Sequence, residues 1–131
     1  MTQMVTKPVL TPINPEALAA VRAAAPAEAL LAVVVDLFEV LADPTRARIV
    51  YALTCCPLCV RDLAILVGVS ESGVSHQMRF LRERHVVKRE RHGNVIEYSL
   101  DDVHVAALIR EAEYHADHVR QGLPDHSYEA P

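Results

Sequence analysis

Apolar residues recur at three- and four-residue intervals along most of the chain, which predicts a mainly helical protein. Asn14 followed by Pro15 marks the start of a first helix, because Asn caps helices and Pro suits their first turn. A second helical run over 27–41 is apolar on more than one face, so we expect a partner to cover part of it. Shorter helices are predicted over 45–53 and 58–67.

The spacing of apolar residues changes from helical to alternating after residue 85. Ser70 is placed to cap a helix over 71–85, which has a narrow apolar stripe and is otherwise polar. The runs 86–90 and 95–99 have the composition of strands and predict a β-hairpin, with a turn over 91–94. Helix, tight turn, helix and hairpin in this order predict a winged helix-turn-helix, a mainly α fold with a small β-hairpin.

The 131 residues fit one compact domain between two tails. A last helix is predicted from Asp101 or Asp102 to about Gln121. We expect a flexible N-terminal tail over 1–13, a winged helix-turn-helix domain over 14–121 and a C-terminal tail over 122–131.

The net charge of −4 conceals a basic segment. Over 70–96, six Lys and Arg residues stand against three acidic residues, whereas over 97–131 two stand against eight. A local basic patch is what contact with DNA phosphates requires, whatever the total charge. The sequence has no apolar run long enough to span a membrane and no signal peptide, which favours a cytoplasmic protein without a membrane partner.

The second helix of the predicted pair fits the DNA major groove, and the hairpin beside it can reach the flanking backbone or the minor groove. The candidate DNA-binding residues are Ser70, Ser72, Ser75, His76, Gln77 and Arg79 on the helix, and Arg89, Arg91, His92 and Asn94 on the hairpin. Gly73 lies inside the helix, where glycine is unfavourable, and close approach to DNA is one reason for it.

Three stretches of the chain carry more specific motifs: Leu-Ala-Asp-Pro-Thr-Arg at 41–46, Leu-Cys-Val-Arg-Asp-Leu-Ala at 58–64 and Val-Ser-Glu-Ser-Gly-Val-Ser-His-Gln at 69–77. Together they resemble the ArsR/SmtB family of bacterial metal-sensing repressors, and the similarity runs over about residues 30–119. The resemblance implies a homodimer that binds double-stranded operator DNA of inverted symmetry and leaves it when metal binds.

Three histidines and an aspartate in and beside the last helix form the strongest candidate metal site. His104 and His115 share a helix face but stand about 16 Å apart along the axis, too far for one ion. A second, antiparallel copy of the helix removes this difficulty, because each ion then takes ligands from both chains. The predicted ligands are Asp102 and His104 of one chain with His115 and His118 of the other.

A set of three imidazoles and one carboxylate suits tetrahedral zinc, with cobalt as an alternative, whereas the softer ions cadmium and lead fit it less well. The spacing of these residues also resembles the family's interfacial zinc site on its C-terminal helix. Family members often have Glu at the position of His118, and His is an equally good ligand.

A second metal or thiol site is suggested by Cys55, Cys56, Cys59 and Asp62. Cys59 matches the family's thiolate position, but relatives that sense soft metals have a second Cys two residues on, where this chain has Arg61. Residues 1–50 contain no Cys or His that could complete the site. We therefore interpret Cys59 as a small buried apolar side chain. A soft-metal or thiol sensor acting through the three cysteines stays open as an alternative.

A zinc enzyme is the most remote alternative. The sequence has no His-Glu-x-x-His motif and no nucleophile–base pair near the predicted ligands. Four protein ligands also leave no open coordination position for a reacting molecule. We therefore expect a metal-responsive repressor, not an enzyme, with no small organic substrate.

Overall fold

The computed structural model of this protein describes residues 9–122, which form six helices and three short strands. The helices are α1 (Pro15–Ala24), α2 (Glu28–Leu41), α3 (Pro44–Cys55), α4 (Val60–Val67), α5 (Glu71–Glu83) and α6 (Val103–Gln121). The strands are β1 (Leu58–Cys59), β2 (Val87–His92) and β3 (Val95–Leu100). This order of elements is the predicted winged helix-turn-helix, in which α4 and α5 form the helix pair and β2 and β3 form the wing.

Contacts divide the chain into two units, with the boundary between Val34 and Val35 inside α2. The first unit contains α1, which begins as predicted, since the Asn14 side chain accepts a hydrogen bond from the backbone N–H of Ala17 at 3.0 Å. The second unit contains the end of α2 and all the elements that follow it. The predicted limits of the two tails stay predictions, and most of the residues assigned to those tails lie outside the described ones.

The sheet has one strand more than the sequence predicted. Strand β1 pairs antiparallel with β3, which also pairs with β2, so the strand order is β1-β3-β2. The helix predicted from residue 58 therefore begins only at Val60, because Leu58 and Cys59 pair with the edge of β3. The predicted four-residue wing turn shortens to Gly93 and Asn94, and Gly93 adopts φ +64°.

The core of the second unit is built from apolar side chains of α2 to α6 and the sheet. The most deeply buried are Val40, Ile49, Val50, Leu63, Val74, Met78, Leu81, Val86 and Val87. Within the described residues no polar or charged residue belongs to this buried set. The three buried residues of α5 follow the predicted four- and three-residue spacing, so this core fixes which face of α5 points outward.

Helix α5 ends two residues earlier than predicted. His85 adopts φ +58°, and its backbone N–H donates to the carbonyl of Arg82 while that of Val86 donates to the carbonyl of Leu81. These two bonds are the Schellman arrangement that closes a helix, and the accompanying apolar contact is expected between Val86 and Leu81, both of which are buried. The chain therefore turns directly from α5 into the wing.

No single helix within residues 9–122 is long and apolar enough to cross a membrane. Helices α1 and α2 are long and apolar enough only when they are taken together as a bent pair, and this rests on their length and composition alone.

Candidate nucleic-acid interface and metal centre

Helix α5 is held by a side-chain cap at its start and by the core along its inner face. The Ser70 hydroxyl accepts a hydrogen bond from the backbone N–H of Gly73 at 3.0 Å and lies 3.2 Å from the Ser72 hydroxyl. Gly68 ends α4 in the left-handed conformation, with φ +71°, so the chain can turn sharply between the two helices. The start of α5 thereby presents its free backbone N–H groups and small hydroxyls to the outside.

The exposed face of α5 contains most of the predicted DNA-binding residues. At about 100° per residue, Ser72, His76 and Arg79 lie opposite the buried stripe of α5, and Ser75 lies at the edge of this face. Gln77 is half-buried on the other flank of the helix. The structure therefore places His76 and Arg79 within the exposed face of α5 and Gln77 at its border, while the DNA contacts of all three residues stay a prediction.

Gly73 is needed for packing inside the protein. A Cβ added at this position would stand 2.7 Å from Cγ1 of Val69 and 3.1 Å from the Ser70 hydroxyl. Both distances are shorter than side chains normally allow, and the Val side chain has little freedom to move away. Contact between α5 and the turn before it thus explains Gly73 without the close approach to DNA considered from the sequence.

The wing has one basic face and one mainly acidic face. Because side chains alternate along a strand, Arg89 and Arg91 share the face of the buried Tyr98, on the helix side of the sheet. His92 points to the other face, where its Nε2 lies 3.8 Å from carboxylate oxygens of both Glu90 and Glu97. The structure therefore brings Arg89 and Arg91 together and separates His92 from them.

The end of the wing carries Asn94, which is exposed in the two-residue turn.

An ion pair joins the starts of α4 and α5, where Nε of Arg61 lies 3.3 Å from a carboxylate oxygen of Glu71. Both side chains of this ion pair are exposed, so the pair adds little to stability.

The predicted metal ligands lie at the start of α6, where Asp102 caps the helix, and along one side of the helix, where the three histidines lie. Asp102 is the N-cap, and its Oδ1 accepts hydrogen bonds from the backbone N–H groups of His104 at 2.9 Å and Val105 at 3.2 Å. His104, His115 and His118 lie within about 60° of one another around the helix, on the side away from the buried Ile109. We call these three residues the histidine stripe.

Within the described part of a single chain, no three His, Cys, Asp or Glu side chains come close enough together to hold a metal ion. The members of the histidine stripe are spread along the length of α6, so one chain does not assemble the predicted ligands. Along this stripe His104 and His115 are exposed, whereas His118 is half-buried.

The cysteines lie where α3 passes into β1. Cys55 and Cys56 are exposed, and Cys59 is half-buried. Cys59 is the N-cap of α4 but makes no side-chain cap hydrogen bond, and Asp62 is exposed in the first turn of that helix. Cys55, Cys56 and Cys59 are all free cysteines.

A groove between α3 and α6 was not foreseen from the sequence. It has a volume of about 740 Å³, with Ala47, Ile109 and charged residues of α6 among its lining. On its wall Tyr51 hydrogen-bonds to Glu113, which raises the pKa of Tyr51 to about 12. Nothing local in the sequence signals this pair, because the two residues are far apart along the chain and meet only when α6 packs on α3.

Comparison with known proteins agrees with this architecture. The family model described as bacterial regulatory protein, arsR family, matches residues 43–89. The HTH-type transcriptional regulator NmtR of Mycobacterium tuberculosis is 46% identical over 92 residues, which cover 70% of this chain and 77% of that protein. A transcriptional repressor SmtB homolog of Synechocystis is 49% identical over 86 residues, which cover 66% of this chain and 63% of that protein.

A solved structure supports the same assignment. The crystal structure of the AntR antimony-specific transcriptional repressor is 35% identical and gives a TM-score of 0.65, with 72% of this chain and 86% of that chain covered. The fold, the helix-turn-helix motif and the extent of identity agree with one another. This chain therefore belongs to the ArsR/SmtB family of metal-responsive, DNA-binding transcriptional repressors, and it is a regulator rather than an enzyme.

Proposed function

We propose that this protein is a zinc-responsive repressor, which binds operator DNA as a homodimer and leaves it when zinc binds between the two copies of α6. The observation that carries the proposal is the histidine stripe, which lies on the side of α6 away from its own core. Since no other ligand of the same chain joins this stripe within residues 9–122, a second chain would complete the site. In an antiparallel pair of α6 helices, Asp102 and His104 would meet the partner's His115 and the partner's His118.

The residues present fit a zinc ion. Oδ1 of Asp102 caps α6, and the second carboxylate oxygen takes no part in those two cap hydrogen bonds. Asp102 can therefore bind metal through that oxygen while the start of the helix stays capped. Three imidazoles and one carboxylate are a closed tetrahedral ligand set for zinc, and the bound ion would supply a fixed link between the two chains.

Exposed apolar side chains support a homodimer. Val35 and Phe38 are about half exposed on α2, and Val103 and Val119 are about three-quarters exposed on α6. Apolar surface of this extent on a small protein commonly marks an interface with another chain. A second copy packed along α2 and α6 would cover these residues and would also face the histidine stripe.

The expected mechanism depends on the distance between two recognition helices. A dimer binds adjacent half-sites only when its two copies of α5 are about one DNA turn apart. Ligands drawn from both chains fix the relative position of the two α6 helices, and therefore of everything packed on them. When the fixed spacing differs from that of the operator, DNA affinity falls, and DNA must lower zinc affinity by the same factor. Such a protein acts where bacterial DNA lies, in the cytoplasm.

The test is a pair of zinc titrations, one into the free protein and one into its operator complex, repeated with two carboxylate variants. Asp102→Asn keeps a good N-cap but removes the ligand charge, so zinc binding should weaken at least about tenfold. Asp117→Asn is the matched control, since Asp117 pairs with Arg120 and lies outside the histidine stripe. Equal zinc affinities for free and DNA-bound wild-type protein would overturn the proposal.

The same titrations with cobalt, nickel and cadmium decide which metal the site prefers. Imidazole suits zinc and nickel, so the coordination number separates them better than the donor atoms do. We expect cobalt-loaded protein to show the intense visible absorption of a tetrahedral ion. Weak absorption of an octahedral ion, together with tighter binding of nickel than of zinc, would contradict zinc as the natural effector.

A further inference from the structure

The aromatic ring of Phe80, on the recognition helix α5, has two arginines close to it. The guanidinium carbon of Arg84 lies 3.6 Å from the centre of the ring, and that of Arg46 lies 4.6 Å from it. Both distances are within the range of favourable cation–π contact. Arg46, Phe80 and Arg84 form what we call the arginine–phenylalanine stack.

Each arginine of the stack is also bound to another part of the protein. Nε of Arg46 donates a hydrogen bond to the backbone carbonyl of Val40, near the end of α2, at 2.7 Å. Nη1 of Arg84 donates to the carbonyl of Phe80 at 3.3 Å, and its Nε lies 3.8 Å from a carboxylate oxygen of Asp36. Asp36 and Val40 are one turn apart on α2, so the two arginine side chains, which we call the arms of the stack, connect this helix to the same ring.

Helix α2 contributes both to the core and to the outer surface. Val40 is buried, whereas Val35 and Phe38 belong to the exposed apolar surface assigned above to the dimer. The stack therefore connects a helix that would contact the partner with the helix that would contact DNA. Besides the buried side chain of Val40, the ion pair of Asp36 with Arg84 and the hydrogen bond from Arg46 to Val40 connect the end of α2 with the stack.

We propose that the arginine–phenylalanine stack is a positioning device that sets the recognition helix relative to α2, so that operator affinity and its response to zinc depend on the stack. Phe80, Arg46 and Arg84 are positioning residues in this scheme, since none of them needs to touch a base. The part of the inference that concerns zinc rests on the function proposed above, whereas the part that concerns operator affinity does not.

Positioning can be distinguished from the mere presence of positive charge near DNA. Arg84→Lys keeps the charge but loses the flat guanidinium that packs on the ring. Phe80→Leu keeps an apolar side chain but removes the aromatic face, and Phe80→Tyr restores that face. None of these changes removes a predicted phosphate contact, so the dependence of operator affinity on salt should keep the wild-type slope.

The experiment measures operator affinity of the zinc-free protein over a salt series, together with thermal unfolding and dimer mass, for wild type and the three variants. We expect Phe80→Leu and Arg84→Lys to bind operator about tenfold more weakly with an unchanged salt slope, and Phe80→Tyr to bind like wild type. Wild-type operator affinity in Phe80→Leu and Arg84→Lys would overturn the proposal. So would a loss of affinity that Phe80→Tyr fails to restore.

Folding and the zinc response are separated by two further measurements. If Phe80→Leu unfolds at the assay temperature, Asp36→Asn decides instead, because Asp36 is half exposed and its replacement releases one arm without emptying the core. Zinc-induced release should be reduced in Phe80→Leu while zinc affinity is retained. Full zinc-induced release in that variant would overturn the stack as part of the response. Absence of release in the wild type would instead reject the proposed function and leave the operator-affinity result as the test.

Discussion

Gly73 and Val69 lie so close together that a methyl group on Gly73 would stand 2.7 Å from Cγ1 of Val69. Gly73→Ala should therefore lower the free energy of unfolding by about 1–3 kcal/mol, as overpacking usually does, and should weaken operator binding by tilting α5. Chemical denaturation and operator titration measure the two effects. The double variant Gly73→Ala with Val69→Ala removes the close contact, so it should recover stability relative to Gly73→Ala. Without any such coupling between the two sites, the steric explanation would be wrong.

The two faces of the wing make different predictions for DNA binding. Arg91→Ala removes a charge from the helix side of the sheet. The slope of log operator affinity against log salt concentration should therefore become less steep by about 1, which is the contribution of one phosphate contact. Lys88→Ala removes the same charge from the other face, which Lys88 shares with Glu90 and Glu97, and should leave the slope almost unchanged. Equal effects of the two substitutions would show that the wing approaches DNA differently from the geometry described here.

Tyr51 predicts a change of stability at high pH. Its pKa is raised to about 12, mainly by the hydrogen bond to Glu113 and then by burial and the charge of that carboxylate. In the unfolded chain Tyr loses its proton near pH 10. The stabilisation is therefore complete below about pH 10 and is lost as the pH rises towards 12, because only the folded chain keeps the proton in that interval.

Chemical denaturation between pH 8 and 11 tests this expectation on wild type and Tyr51→Phe. The phenylalanine variant has neither the proton nor the hydrogen bond, so its stability should fall less steeply above pH 10 than that of the wild type. The stability of Glu113→Gln should also fall less steeply above pH 10 than that of the wild type, since this substitution removes the charge that holds the proton on Tyr51. Parallel pH curves for the three proteins would contradict the link between these two residues.

Cys59→Ser separates the zinc site from the cysteine cluster. Cys59 is the N-cap of α4 without a cap hydrogen bond, and Ser is a good cap, so stability should stay the same or rise by up to about 1 kcal/mol. Zinc-induced release from the operator should persist in this variant and in one that lacks Cys55 and Cys56 as well. A variant that folds and binds DNA but no longer responds to zinc would instead favour the thiol or soft-metal sensor.

The sequence by itself determined the order of the helices and the two wing strands, and much of the local geometry. Apolar spacing predicted the inner face of α5, and Asn14, Ser70 and Gly68 predicted helix ends that the structure confirms, because caps and left-handed turns depend on neighbouring residues only. The motifs around the helix pair also carried the family resemblance that the comparisons confirm. The metal ligands were proposed from helix periodicity, and they stay a prediction.

Tertiary structure decided the features that need residues distant along the chain. Leu58 and Cys59 form a strand rather than a helix because β3 offers them hydrogen-bond partners about forty residues later. Pairing of β2 with β3 extends the strand to His92, so Arg91 and His92 lie on opposite faces of the sheet instead of in the predicted turn. The contacts of Phe80 with Arg46, and of Tyr51 with Glu113, exist only after helices pack, since no local pattern brings such residues together. Local propensity thus fixes the elements, whereas burial and pairing between them decide which side chains meet.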